Sequence, residues 1–172
     1  MMGESAIFSL LALAIVGTAL LVIFQRNPVV SAIYLIITFF CLAGVYLLLQ
    51  AEFIAIIQVL VYAGAIMVLF LFVIMLLNLE KERRFLTPQR MPRVLGILLG
   101  AVLLFQLGVI FRSVWIDTPS GPFPPEKVAA LGNTEVVARL LFTDFLLPFE
   151  ITSILLLVAI IGAIVLAKRE LK

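Results

Sequence analysis

The side chains most able to do chemistry lie in one long uncharged stretch, from Phe53 to Leu79. Gln58 and Tyr62 are in its first half, and Gly64 follows two positions later. An ideal helix over these 27 residues is roughly 40 Å long, whereas the hydrocarbon core of a bilayer is about 30 Å thick. Gln58 and Tyr62 are therefore expected well below the headgroups, where polar groups are costly and need a reason.

The spacing of Gln58 and Tyr62 leaves two interpretations open. In an α-helix residues four apart share a face, here together with the small residues Ala55 and Ala65. The amide and the hydroxyl can hydrogen-bond to a neighbouring helix and hold the bundle together, which the residues alone favour. Alternatively, they line a thin file of water through the membrane.

Gly64 lies where helix regularity is weakest, in the sequence Tyr62-Ala63-Gly64-Ala65. A π-bulge or kink there would rotate the following half-helix and open or close a path between subunits. Close packing against a neighbouring backbone accounts for the glycine equally well.

Carboxylates stand at the edges of two apolar stretches, at Glu52 and Glu150. Each is explained by a helix N-terminus, where the helix dipole stabilises negative charge, and proton exchange is the less favoured role. The remaining polar side chains at membrane depth are Tyr34, Thr38, Tyr46 and Asn78. None of these groups forms a catalytic constellation, so we predict no catalytic residue in this chain.

Composition excludes several classes of protein. Hydrophobic residues make up 65% of the chain, charged residues 13%, and the mean hydropathy is +1.29, so the chain is an integral membrane protein. Its basic residues are scattered through short loops, which argues against nucleic-acid binding. Without His and with Cys41 as its one cysteine, the chain offers neither a disulfide nor a Cys/His metal site, and redox cofactors are expected in partners.

The charges divide the chain into five apolar intervals, which must be helices because the backbone cannot stay unpaired in lipid. We predict an all-α bundle in one membrane domain, 1–172, whose first span is retained rather than cleaved as a signal peptide. Internal repeats are absent, which favours a subunit of something larger over a transporter. The expected spans are 5–25, 28–49, 53–79, 94–115 and 146–167.

Lys and Arg predict the orientation, since cytoplasmic loops are enriched in both. Three lie on one side, Arg112, Lys127 and Arg139. The N-terminus and the 116–145 loop should be on this outer, periplasmic side and the C-terminus in the cytoplasm. The other side has Arg26, Lys81, Arg83, Arg84, Arg90, Arg93, Lys168, Arg169 and Lys172.

Two local patterns predict helix starts. Asn27-Pro28 is typical of an N-cap followed by Pro at the first helical position, which gives a tight hairpin between the first two spans. In the outer loop, the segment 133–142 has a plausible cap and amphipathic spacing, which predict a short interfacial helix.

The run Ala51–Asn78, which contains Glu52, Gln58, Tyr62 and Gly64, closely resembles the third span of subunit J of bacterial NADH:quinone oxidoreductase, respiratory complex I. Further resemblance lies at Asn27-Pro28 with Ser31, at 42–46, at 147–150 and at 161–167. It covers all but the first and fourth spans and the loops beside the fourth.

The resemblance implies a hetero-oligomeric, multi-pass subunit of the bacterial inner membrane, with five helices, N-terminus outside and C-terminus inside. It implies neighbours named A, H and K, and flavin, iron–sulfur clusters and quinone held by partner subunits. The family's third helix can carry a π-bulge at the positions matching Tyr62 and Gly64. A change there between α and π geometry is proposed to gate a water path that couples quinone reduction to proton pumping.

The resulting hypothesis is a non-catalytic coupling subunit of a proton-pumping NADH:quinone oxidoreductase, with Tyr62 and Gly64 at a gate and Gln58 and Glu52 as weaker candidates for lining or capping. One alternative is the matching subunit of a complex fed by ferredoxin, reduced deazaflavin or hydrogen. Another is a structural assembly subunit with no role in the proton path.

Overall fold

The computed structural model describes residues 2–77, 90–113 and 125–168, and every regular element within them is a helix, which confirms the predicted all-α class. Four segments are long and apolar enough to cross a membrane: Gly3–Phe24, Pro28–Leu48, Glu52–Leu76 and Leu146–Ala167. Predictions for Asn78, for the basic residues Lys81, Arg83 and Arg84, for the loop residues 116–124, and for Arg169 and Lys172 lie outside the described residues.

Eight α-helices and one π-helix follow one another along the described chain. The third span is one continuous helical rod made of three parts, α3, π1 and α4, with different hydrogen-bond registers. The bounds are α1 Met2–Phe24, α2 Pro28–Leu48, α3 Glu52–Ile57, π1 Gln58–Ile66, α4 Met67–Leu76, α5 Arg90–Ser113, α6 Pro125–Leu131, α7 Asn133–Phe142 and α8 Leu146–Ala167.

The first two helices form the expected hairpin. Asn27 is the N-cap of α2, and its Oδ1 accepts a hydrogen bond of 2.9 Å from the Val29 N–H. Pro28 occupies the first helical position, where its missing N–H costs nothing. The start of α2 predicted from Asn27-Pro28 is confirmed.

Hydroxyl groups join α1 to α2 inside the apolar interface. The Oγ atoms of Thr18 and Thr38 are 2.8 Å apart, and Ser31 Oγ donates to the Val22 carbonyl at 2.7 Å. Hydrogen bonds between helices typically contribute about 0.6–2 kcal/mol each in a membrane. The hairpin is thus held by polar contacts as well as by packing.

Helix α2 is the centre of the bundle, because it contacts α1 and all three parts of the third span. Its buried residues, Ala32 and Ala43, are small, which lets neighbouring helices approach closely. Among the described residues, α2 is therefore the packing partner that follows the third span over its whole length.

The short helix predicted at 133–142 is present as α7, with Val136 buried. The cap expected at its start is formed differently, because Gly132 occupies the N-cap position at φ 90° and no side chain caps the helix. The side chain of Asn133 is engaged elsewhere. Helix α7 contacts α3 on one side and α8 on the other, and the rings of Phe142 and Phe149 meet edge-on at 5.0 Å.

Candidate functional site at the π-helical segment

The hydrogen-bond register of the third span changes at Gln58. The N–H of Gln58 still bonds to carbonyls three and four residues back, those of Ala55 and Ile54. At the far end the N–H of Met67 bonds to the Tyr62 carbonyl, five residues back, and to the Gly64 carbonyl. The nine residues Gln58–Ile66 are a π-helix, longer than the single-turn bulges usually found at functional sites. The segment expected to be irregular is therefore π-helical over more than one turn.

The π register moves the buried face of the helix by one residue. The buried positions of the third span are Ala55, Gln58, Ala63 and Met67, each at most 5% exposed. Their spacing is three, five and four, whereas an α-helix repeats a face every three or four residues. The prediction that Gln58 and Tyr62 share a packing face assumed α geometry and is wrong for this state, since Tyr62 is 47% exposed.

Tyr62 nevertheless touches α2. Its ring meets the ring of Phe39 edge-on, with centroids 5.9 Å apart and planes at 73°. Such aromatic pairs contribute about 0.5–1.5 kcal/mol beyond the area that they bury. Tyr62 thus lies at the margin of the interface, with its ring against Phe39 of α2 and about half of its surface exposed.

Gln58 is buried against α2, yet no hydrogen bond joins its side chain to the residues that the structure describes. In those ranges, every side-chain nitrogen or oxygen that is completely inaccessible to solvent has a hydrogen-bond partner. Because the Gln58 amide has no partner there, its polar atoms must keep a small accessible surface. A buried amide without a partner costs free energy, unless water or another chain supplies the bond. The amide does not hold these described helices together.

Gly64 lies against its own helix. A Cβ atom added to Gly64 would be 3.2 Å from the Val59 carbonyl oxygen, five residues back, which is tighter than ordinary van der Waals contact. That close carbonyl is the acceptor position of a π register. Of the two explanations offered by the sequence, the geometry favours the one based on helix irregularity, because the close neighbour of Gly64 is not another helix.

Glu52 is separate from this cluster. It is the first residue of α3, is exposed, and precedes Gln58 by about 9 Å of helical rise. Glu150 is likewise exposed in the first turns of α8. The structure thus brings Gln58, Tyr62 and Gly64 together in π1 and leaves both carboxylates apart.

Sequence reasoning missed Ala63 and Phe39. Ala63 takes the buried place that α periodicity assigns to Tyr62, and Phe39 supplies the ring that Tyr62 touches. Aromatic residues are common in apolar helices, so nothing in the local pattern singled out Phe39. A search for a five-residue step between small residues would have pointed to Ala63.

A single apolar helical bundle with a π-helix inside one membrane-length helix defines this chain as an integral membrane protein. The model of the family described as NADH-ubiquinone/plastoquinone oxidoreductase chain 6 matches residues 18–166. The chain belongs to this family, and the resemblance to subunit J is confirmed.

Curated relatives match over most of their length. The NAD(P)H-quinone oxidoreductase chain 6 of Synechocystis sp. is 40% identical over 95% of this chain and 80% of that protein. The F(420)H(2) dehydrogenase subunit J of Methanosarcina mazei is 41% identical over 97% of this chain and 92% of its own length. The NADH-quinone oxidoreductase subunit J of Rickettsia bellii is 34% identical over 95% and 80%.

Proposed function

We propose that this chain is a non-catalytic membrane subunit of a proton-pumping NADH:quinone oxidoreductase, and that its third span couples quinone reduction in partner subunits to proton translocation. Family membership supports the assignment to the complex. The observation that carries the coupling role is the π-helix at Gln58–Ile66, inside a segment long and apolar enough to span the membrane.

The π-helix provides two states of one helix. If Gln58–Ile66 adopted α geometry, a face including Ala55 and Gln58 would continue at Tyr62 instead of Ala63. One residue of register corresponds to a rotation of about 100°, so the half-helix after the switch would turn by that order. Met67 would leave the interface with α2 in the same motion.

The two states differ in the polarity of the interface with α2. In the π state the methyl group of Ala63 follows the Gln58 amide along the buried row. In the α state the Tyr62 hydroxyl would take that place, one turn from the amide. A buried water needs two to four polar partners, and an amide beside a phenol supplies them, whereas an amide beside a methyl group does not. The α state is accordingly the one that favours a water file.

The residues of this site form a proton path and gate, not a centre of catalysis. Tyr62 and Gly64 are the gate, and Gln58 lines the path. Glu52 has the weaker role of an exposed carboxylate at the entrance to the span. A chain with no His and a single Cys has few ligands for an iron–sulfur cluster. In this proposal flavin, iron–sulfur clusters and quinone are held by partner subunits, as the resemblance to complex I implies.

Two long helices with little burial support a hetero-oligomer. No residue of α8 is buried, and neither is any residue of α5 whose side chain is described. We place α5 as a fifth span, because it is 24 residues long with an apolar stretch at Leu95–Ile110. The faces of α5 and α8 would lie against lipid and against other membrane subunits, namely those named A, H and K in complex I.

Topology completes the proposal. The distribution of Lys and Arg places the N-terminus and the loop containing α7 on the periplasmic side and the C-terminus in the cytoplasm. The membrane is then the bacterial inner membrane.

The electron donor has one specific alternative. The relatives named for NAD(P)H and for F(420)H(2) have nearly equal identity to this chain, 40% and 41%. A complex fed by F(420)H(2) is therefore the second candidate, with the same role for the third span. Purified complex that oxidises NADH but not F(420)H(2) would decide for the first.

Gly64→Ala tests the coupling role. The added methyl group would lie 3.2 Å from Val59 O in the π register, closer than ordinary van der Waals contact, so the backbone there must shift by a few tenths of an ångström. Ala also favours an α-helix over Gly by about 1 kcal/mol. Both effects favour the α state. We expect the intact complex in proteoliposomes to lose proton pumping while it still oxidises NADH, and cryo-EM to show residues 58–66 in the α register.

Gly17→Ala is the matched control, because Gly17 lies in a membrane-length helix and a Cβ there meets none of the described residues within 4 Å. It should pump normally. Normal pumping in Gly64→Ala as well, with π1 converted to α, would contradict the gate and leave the structural assembly role.

A further inference from the structure

Asn133 caps a helix to which it does not belong. Its Oδ1 accepts a hydrogen bond of 3.1 Å from the backbone N–H of Phe53, the second residue of α3, although the two residues are 80 positions apart. The first N–H groups of any helix lack partners within the helix. Ala51, at the N-cap position of α3, has no side-chain acceptor to supply one. Asn133 therefore does for α3 what an N-cap residue usually does from within.

The cap comes from a helix that is itself held in place. Helix α7, which begins at Asn133, contacts α3, and its Val136 is buried. Its other end meets α8 through the Phe142–Phe149 ring pair. The N-terminal part of the third span is thus fixed by a hydrogen bond to α7 as well as by the packing of Ala55 and Gln58.

The C-terminal part of the third span is held much less tightly. No residue from Val68 to Leu77 is buried. An apolar groove of about 260 Å³ separates α4 from the start of α2, and its lining residues are Val29, Ile33, Val68, Leu71, Phe72 and Met75. A change of register within π1 must move one half of the span relative to the other, and α4 has both fewer contacts and more room.

We infer that Asn133 is a positioning residue for the coupling reaction. Its hydrogen bond holds the first turn of α3 against α7. When π1 changes between α and π registers, α3 therefore stays in place and α4 rotates. Without the cap, α3 takes up part of the register change and α4 turns less. This inference rests on the proposed function, since it assigns a direction to the movement of the proposed gate.

The test uses three variants of the intact complex in lipid nanodiscs and proteoliposomes. Asn133→Ala removes the acceptor. Asn133→Asp keeps an oxygen at the same position and adds a charge that a helix N-terminus favours. Thr134→Ala is the matched control, since Thr134 is the exposed next residue on α7 and makes no side-chain hydrogen bond with the described residues.

Hydrogen exchange at residues 52–57 reports the cap directly. Loss of a helix cap typically costs about 0.5–2 kcal/mol, which corresponds to about two- to thirtyfold faster exchange through local opening. We expect that acceleration in Asn133→Ala, and rates like those of the parent in Asn133→Asp and Thr134→Ala. Unchanged exchange in Asn133→Ala would overturn the cap and with it the inference.

The ratio of protons pumped to NADH oxidised reports the positioning role. We expect this ratio to fall in Asn133→Ala while the maximal rate of NADH oxidation is retained, and to recover in Asn133→Asp. Faster exchange with an undiminished ratio would overturn the inference, because the cap would then be structural only. Normal pumping in Gly64→Ala with π1 converted to α contradicts the gate, whereas unchanged exchange in Asn133→Ala contradicts only the cap. The two failures are therefore distinguishable.

Discussion

Gln58 and Ala63, five positions apart, lie in the same buried row of the third span, while Tyr62, four positions from Gln58, is half exposed. This relationship exists only because the intervening backbone is π-helical. The sequence satisfies both registers, since either Ala63 or Tyr62 can follow Gln58 along the face that meets α2. A helix with two acceptable faces is the physical element that a conformational switch requires.

The ring contact between Tyr62 and Phe39 should stabilise the observed state. Replacing Phe39 by Leu and Tyr62 by Leu, singly and together, should give a coupling free energy of about 0.5–1.5 kcal/mol. The measurement is a double-mutant cycle on the free energy of unfolding of the purified chain in bicelles titrated with SDS.

Tyr62→Phe is the control for that cycle, because it keeps the ring and removes only the hydroxyl. In a cycle with Phe39→Leu, the ring of Tyr62→Phe should show the same coupling free energy as the ring of Tyr62. Proton pumping by the complex should still fall, because the hydroxyl is missing. A coupling energy near zero for the leucine cycle would show that the 5.9 Å edge contact contributes no stability.

Much of the fold follows from the sequence, because membrane helices obey simple constraints. Charge positions and span length predicted the four helices that are long and apolar enough to cross a membrane, whereas the fifth predicted span stays a prediction. Asn27-Pro28 predicted where α2 starts, since a cap and a proline act locally. The cap of α3 could not be predicted in this way. It joins Phe53 to Asn133, and a contact between residues so far apart in sequence depends on tertiary packing.

The site was only half predictable for a related reason. The small residues around Gly64 indicated an irregular helix, and the π-helix lies there. The face carried by the helix was predicted wrongly, because a period of 3.6 was applied to Gln58 and Tyr62 across a segment with a longer period. Propensity favours or weakens a helix, but the choice between α and π registers depends on packing against α2.

Asn27→Ala should loosen the start of α2. The lost bond from Val29 N–H to Asn27 Oδ1 is an N-cap, typically worth about 0.5–2 kcal/mol. Hydrogen exchange at residues 29–33 of the intact complex should therefore accelerate. Asn27→Ser, which retains a capping oxygen, should exchange nearly as the parent does, and equal acceleration in both variants would contradict the cap.

Thr38→Val should weaken the α1–α2 hairpin. The change preserves side-chain shape and removes the 2.8 Å bond to Thr18 across the interface, so the chain should lose about 0.6–1.7 kcal/mol of unfolding free energy in bicelles. Thr152→Val is the matched control, because within the described ranges the Thr152 hydroxyl bonds only to the Pro148 carbonyl of its own helix. Equal losses in the two variants would mean that the interhelical bond is not responsible.

Gln58→Leu separates the two roles first considered for this residue. Leucine has a similar size and no polar atoms, and the Gln58 amide has no hydrogen bond to lose among the described residues. If the amide lines a water path, unfolding free energy in bicelles should stay within about 1 kcal/mol or rise, since removing an unpaired buried polar group relieves a desolvation cost. Proton pumping by the complex should fall at the same time.

If the Gln58 amide instead joins the chain to a partner helix, Gln58→Leu should lower the thermal stability of the complex, and the subunit should dissociate more readily. Stable assembly with reduced pumping therefore supports the path, and weakened assembly with normal pumping in the surviving complex contradicts it.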